Sequence, residues 1–226
     1  MMAEVDNVIQ LLMSKAEPEN IPGMKRFGMS EESRLGIPVP ELRAIAKSLG
    51  KDHQLAQELW NTRIAEARIL ASMVAEPDKL TGEQMDRWVE DFDSWDICDQ
   101  VCMNLFDKTP LAWKKIPEWS QSEEEFIRRA SLALIACLAW HDKQAKDALF
   151  VNIMPVIRSC ATDERNFVKK AASWALRNIG KRNRNLNLLA IQCAAEIQAI
   201  NSKSARWIAA DVLRELNSEA VQKKLK

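Results

Sequence analysis

Phe126-Ile127-Arg128-Arg129-Ala130-Ser131 and Phe167-Val168-Lys169-Lys170-Ala171-Ala172 are one pattern written twice, 41 residues apart. A weaker third copy follows, in which Trp174-Ala175-Leu176-Arg177 matches Asp211-Val212-Leu213-Arg214 at a spacing of 37. A period near 40 residues leaves room for two helices and their turns, which is the unit of stacked helical repeats. The expected fold is therefore all-α, a HEAT-like or armadillo-like solenoid with a concave basic face.

Outside the repeat the chain also reads as helix. No period-2 stretch bounded by hairpin turns occurs, and Tyr is absent. Thr81-x-x-Gln84 and Ser122-x-x-Glu125 read as capping boxes. Breaks are expected near Pro18–Gly23, Gly36–Pro40, Gly50–His53, Glu76–Leu80, Pro110, Pro117–Ser122, His141–Lys143, Thr162–Asp163, Lys181–Asn185 and Asn201–Lys203. Segments of this length imply about ten to twelve helices, expected as a single domain over residues 1–226 with no flexible linker.

The 226 residues are 47% hydrophobic and 28% charged, an ordinary globular composition that excludes a disordered chain. The formal net charge of zero hides a split. Residues 1–125 carry 14 Lys and Arg against 24 Asp and Glu, a charge of −10, whereas residues 126–226 carry 18 against 8, a charge of +10. A basic half suits a polyanion, and it equally suits attraction between two halves of one protein. Five cysteines, an odd number without a C-x-x-C pair, read as reduced thiols. Residues 1–10 lack a signal-peptide pattern, and the longest apolar run, Ala130–Trp140, is too short to span a bilayer. These features lead to the expectation of a cytoplasmic, monomeric protein.

No familiar catalytic constellation stands out. His53 and His141 have no spaced metal partner, so neither a metal nor a cofactor is expected. There is no phosphate-binding glycine loop and no G-x-S-x-G turn. Any chemistry falls to carboxylates, arginines and aromatics.

Two helices draw attention. At 100° per residue Val168, Ala171, Ala172, Ala175, Leu176 and Ile179 form one core stripe. Trp174 falls away from it, beside Lys170, Arg177 and Lys181. Two readings stand: Trp174 fills a crevice between repeats, or it faces a ligand. In the second helix Ile97, Val101 and Leu105 mark the core, while Trp95 and Asp99 sit four residues apart on one flank. A carboxylate beside an indole suits a cation; a solvated acid is the alternative for Asp99. Asp93 and Asp96 are read as serving the helix N-terminus. Arg128 and Arg129 open a helix whose remainder is apolar nearly all round. Arginines there oppose the helix dipole and call for an acid such as Glu124 or Glu125, or for a phosphate, with an ion pair favoured for Arg128.

These residues carry a family resemblance. Met24-Lys25-Arg26-Phe27, Leu35-Gly36-Ile37-Pro38, Ser94-Trp95-Asp96 with Asp99, Phe126-Ile127-Arg128-Arg129-Ala130, and Val168-Lys169-Lys170-Ala171 with Trp174-Ala175-Leu176-Arg177 run in order from residue 24 to about 182. In this the chain resembles the bacterial DNA alkylation repair proteins of HEAT-like fold, the AlkD-type alkylpurine DNA glycosylases. The resemblance implies excision of cationic N3- or N7-alkylated purines from duplex DNA without a metal. It implies Asp99 as the essential carboxylate, Trp95 and Trp174 as aromatics flanking the lesion, and Arg129 as the arginine beside it. Lys25, Arg26, Arg128, Lys169, Lys170, Arg177, Lys181 and Arg182 are expected to meet phosphates. Two alternatives remain at this level: a non-catalytic binder of damaged or branched DNA, and a protein-interaction scaffold docking through its acidic half.

Overall fold

The computed structural model describes residues 4–225, so Met1–Ala3 of the expected signal-free N-terminus lie outside the described residues. The chain divides into two compact units, Met1–Leu111 and Ala112–Lys226. The first holds α1 (Val5–Ser14), α2 (Ile21–Arg26), α3 (Val39–Leu49), α4 (His53–Asn61), α5 (Ala65–Val74), α6 (Gly82–Glu90) and α7 (Trp95–Asn104). The second holds α8 (Ala112–Ser120), α9 (Glu125–His141), α10 (Asp147–Ser159), α11 (Asn166–Gly180), α12 (Arg184–Gln198), α13 (Lys203–Leu216) and α14 (Glu219–Gln222). Among the described residues twelve of these helices run nine residues or more, and no strand occurs.

In the second unit the sequence period becomes a packing period. α9 lies against α8 and α11, and α11 against α12 and α13. Phe126 and Phe167, the first residues of the two matched phrases, stack with ring centroids 5.6 Å apart. Side-chain bonds join one copy to the next at nearly constant separation. Asn178 donates to the Ala136 carbonyl (3.1 Å), Arg182 to that of Ala139 (2.8 Å), and the Ser173 hydroxyl to Asp211 (2.6 Å). The α11 stripe of Val168, Ala171, Ala172, Ala175, Leu176 and Ile179 is buried throughout, as is every residue from Ala130 to Ala139 of α9. Gly180 closes α11 where an added Cβ would lie 2.5 Å from the Leu216 side chain of α13.

The first unit is less regular. Glu66, 1% exposed, accepts from the Leu35 (2.9 Å) and Gly36 (2.8 Å) amides, so one carboxylate pins the long loop ahead of α3. Gly36 has φ +81°, and a Cβ there would meet the Glu17 carbonyl at 2.1 Å, so no other residue fits. Trp60 and Trp88 stack 4.1 Å apart with the Arg68 guanidinium over Trp60.

Three local expectations change. Thr81 caps α6 by accepting from the Gln84 amide, as expected, but Ser122 does not cap α9. Its hydroxyl accepts from the Glu124 amide in a turn, and the helix begins at Glu125. Pro117 does not break the chain: α8 runs through it to Ser120, whose hydroxyl donates to the Pro117 carbonyl. The break between α4 and α5 carries no glycine or proline. Arg63 itself takes φ +60°, so composition gave no turn signal there.

Candidate nucleic-acid interface

Trp95 and Asp99 share one flank of α7 and both are half-buried, while Ile97, Cys98, Val101 and Cys102 face the core. The helix is set by its first turn. Asp96 is not an N-terminal charge in solvent. It forms a buried two-point ion pair with Arg34 (2.7 and 3.1 Å), and the Ser94 hydroxyl donates to the same carboxylate. Arg34 also donates from Nε to the Ser30 carbonyl (2.7 Å). Asp96 stands in the first turn of α7 as expected, and it is buried as well, where a partnerless carboxylate is costly and Arg34 supplies the partner. The same loop reaches Trp95, whose indole N–H donates to the Phe27 carbonyl (3.0 Å). Phe27 is itself 75% exposed, between Arg26 and Gly28. Lys25 pairs with Glu31 at the surface, and Arg26 is exposed.

In the second unit Trp174 is half-buried on α11, off the core stripe. It lines an open cleft of about 680 Å³ together with Trp140, Lys143, Asp147, Lys181 and Arg182. Arg129 is 5% exposed and donates to the Phe167 carbonyl at the start of α11. Arg128 pairs with Asp163 (2.9 Å) and Glu123 (3.5 Å). Asp163 also takes Arg165. Burial alone would raise its pKa, but the hydrogen bonds from Arg165 and Arg128 outweigh that and hold it below the ordinary carboxylate range.

The expected phosphate-binding residues fall into two groups. Lys170 is exposed without an ion-pair partner among the described residues, and Lys169 lies over the Trp207 ring (5.1 Å). Arg177 and Lys181 are instead neutralised by Glu215, Arg177 also meeting Asp211 (3.4 Å). The two cations outweigh the burial of Glu215 and lower its pKa. Arg182 donates from its two terminal nitrogens to the Ala139 and Ala145 carbonyls, while its buried Nε has no partner, and it covers the Phe150 ring (4.2 Å). The stripe seen along α11 alone therefore meets an acidic stripe on α13, which a one-helix projection cannot show.

Sequence reasoning passed over Trp140. It stands at the end of the buried α9 run and is 54% exposed, stacked on His141. The signal was available as an aromatic at the helix end next to a break. All five cysteines are buried and outside any disulfide, and burial pushes the Cys193 thiol up to about 11. Among the described residues no group of three or more His, Cys, Asp or Glu could hold a metal ion, and no helix is long and apolar enough to cross a membrane.

An all-helical repeat with aromatics and cations off its core stripes defines a class, and comparison with known proteins narrows it. The DNA alkylation repair enzyme family model matches residues 8–216, and the chain belongs to that family. Among solved structures it is similar to one described as "A new family of proteins related to the HEAT-like repeat DNA glycosylases with affinity for branched DNA structures". The TM-score is 0.77 at 18% identity, covering 94% of this chain and 95% of that one. A designed armadillo repeat protein in complex with a (KR)4 peptide matches at a TM-score of 0.40 and 15% identity over 79% of this chain and 91% of that one. No curated protein matches.

Proposed function

We propose that this protein is an alkylpurine DNA glycosylase that removes N3- or N7-alkylated purines from duplex DNA. The observation that carries the reading is the Trp95–Asp99 flank of α7, half-buried and fixed by the Arg34–Asp96 pair.

Alkylation at N3 or N7 makes the purine cationic, so the base already leaves well. The C1′–N9 bond breaks, its electron pair neutralises the departing base, and positive charge builds on the sugar. Asp99 stabilises that oxocarbenium-like charge with a fixed carboxylate. It also orients the water that adds to C1′, whose proton passes to Asp99 or solvent. Trp95 offers a π face to the cationic base or the sugar, and Trp174, in the second unit, offers one to the DNA. Arg129, with its guanidinium on the Phe167 carbonyl, acts as a positioning residue for α11, the helix that carries Trp174. Lys25, Arg26, Lys169 and Lys170 bind phosphates without reading sequence. Arg128, Arg177, Lys181 and Arg182 contribute where a phosphate competes with their present partners.

Asp99→Asn is expected to lower release of free methylpurine from alkylated duplex DNA by about 10² to 10³, the cost of removing one electrostatic stabiliser. A chelator leaves the parent rate unchanged. Excision by the variant at the parent rate overturns the role of Asp99. The second reading, a non-catalytic binder of damaged or branched DNA, is favoured by the affinity ascribed to the similar solved structure. Tight binding to branched DNA with no base released by the parent protein selects it.

A further inference from the structure

Trp140 breaks the logic of its own helix. Residues Ala130–Ala139 are buried, and the next residue, a large aromatic, is more than half exposed. Its ring is not loose: it stacks on His141 with centroids 4.9 Å apart and planes at 27°. One indole face is thus occupied, and the side chain helps wall the 680 Å³ cleft that also holds Trp174. That volume lies within the range of small-ligand sites.

The polar groups of the cleft are mostly spent within the protein. Asn178 donates to the Ala136 carbonyl, and Arg182 to those of Ala139 and Ala145. Asn183 and Asn185 donate to the two oxygens of Asp147 (2.9 and 3.0 Å). What the cleft has left to offer is aromatic surface and one cation. Lys143 is exposed, lines the cleft and has no ion-pair partner among the described residues. Aromatic faces beside a free cation, with little to read base edges, are the chemistry of sequence-tolerant single-strand recognition.

We propose that this cleft takes one unpaired nucleotide of a DNA strand, its base stacked on the Trp140 indole and its phosphate met by Lys143. The Asp147 carboxylate repels a second phosphate and limits the cleft to a single nucleotide. The inference rests on the DNA reading above and deepens it: the site adds preference for DNA that offers an unstacked base, whether or not excision follows.

The test measures binding of the full-length protein to three labelled duplexes by fluorescence anisotropy at low salt. One is intact, one carries a single unpaired thymidine, and one carries an unpaired abasic analogue at the same place. The parent is expected to bind the thymidine bulge about 5- to 100-fold more tightly than the intact duplex, the span that one stacked base covers. The abasic bulge binds like the intact duplex. Trp140→Ala loses the preference while keeping parent affinity for the intact duplex, and Trp140→Phe retains most of it. Exchanging the unpaired base among the four changes affinity by less than about threefold, because stacking tolerates every base. A preference that survives Trp140→Ala, or a parent with no preference, overturns the inference and leaves the DNA reading standing. Failure of the parent to bind any of the three overturns both.

Discussion

The two units reach the same secondary structure by different means. The second is assembled from copies: α9 and α11 carry matched phrases and stack equivalent phenylalanines, and side-chain bonds spanning about 38 to 43 residues of sequence join α11 and the turn after it to α9 and to α13. The first is assembled from special contacts, each made once. Glu66 holds a loop, Arg34 holds Asp96, and Gly36 allows a backbone approach that any Cβ would block. A repeat spreads its stability over many similar interfaces, whereas a unit of singular contacts concentrates it in a few residues.

That contrast can be broken by mutation. The largest effect is expected from Asp96→Ala. Removing one partner of a buried ion pair leaves the Arg34 charge uncompensated and costs about 3 to 5 kcal/mol. Urea denaturation reads it as a lower midpoint. A loss below about 1 kcal/mol would show that the first unit does not depend on this contact. Next come two glycines. Gly36→Ala forces a Cβ against the Glu17 main chain at a positive φ and is expected to cost about 3 kcal/mol. Gly180→Ala meets the tip of Leu216, which can turn away, and the Ala190 Cβ at 3.1 Å, which has no rotamer to change, so about 1 to 2 kcal/mol is expected. The reverse order in denaturation midpoints would overturn the distinction between singular and repeated contacts.

Trp174→Ala sharpens the comparison from the other side. A core tryptophan such as Trp60 costs about 3 to 5 kcal/mol on truncation. Trp174 stands off the core stripe at an open cleft, so its loss is expected to cost under about 1 kcal/mol while weakening excision or lesion binding. A large drop in melting temperature would return Trp174 to the core. The smallest effect concerns acid. Asp163 and Glu215, both in the second unit, have folded pKa values below their ordinary ones. Such groups contribute stability that is full above the unfolded carboxylate pKa, about 4, and is lost as pH falls towards the lower folded value. The melting temperature is therefore expected to decline below about pH 4, and the Asp163→Asn, Glu215→Gln double variant to decline less. Equal slopes for variant and parent would remove these carboxylates from the account.

Much of the fold and part of the site were legible in residue order. The α11 core stripe, the buried run of α9, and the Trp95–Asp99 flank all follow from one helix considered alone, because 3.6-residue periodicity fixes which side chains share a face. That Arg128 meets an acid was foreseeable, since a cation in a first helical turn needs one, but its partners are Asp163 and Glu123 and not Glu124 or Glu125. The joint at Arg63 was not, because a non-glycine residue took the left-handed conformation there.

The sequence by itself determined the helical class, the repeat period near 40 residues and the faces that Trp95, Asp99 and Trp174 occupy. These depend on local periodicity and on spacing along the chain, which every residue order displays. Only the tertiary structure decided what each polar side chain meets. It gave Asp96, a first-turn charge of α7, the buried partner Arg34, and it set Glu215 against Arg177 and Lys181 across helices 34 to 38 residues apart in sequence. It also brought Trp140 to the cleft of Trp174. A single-helix projection carries the direction of a side chain but not the neighbour it reaches, and in a stacked repeat the neighbour of Arg177, Lys181 or Asn178 comes from an adjacent copy.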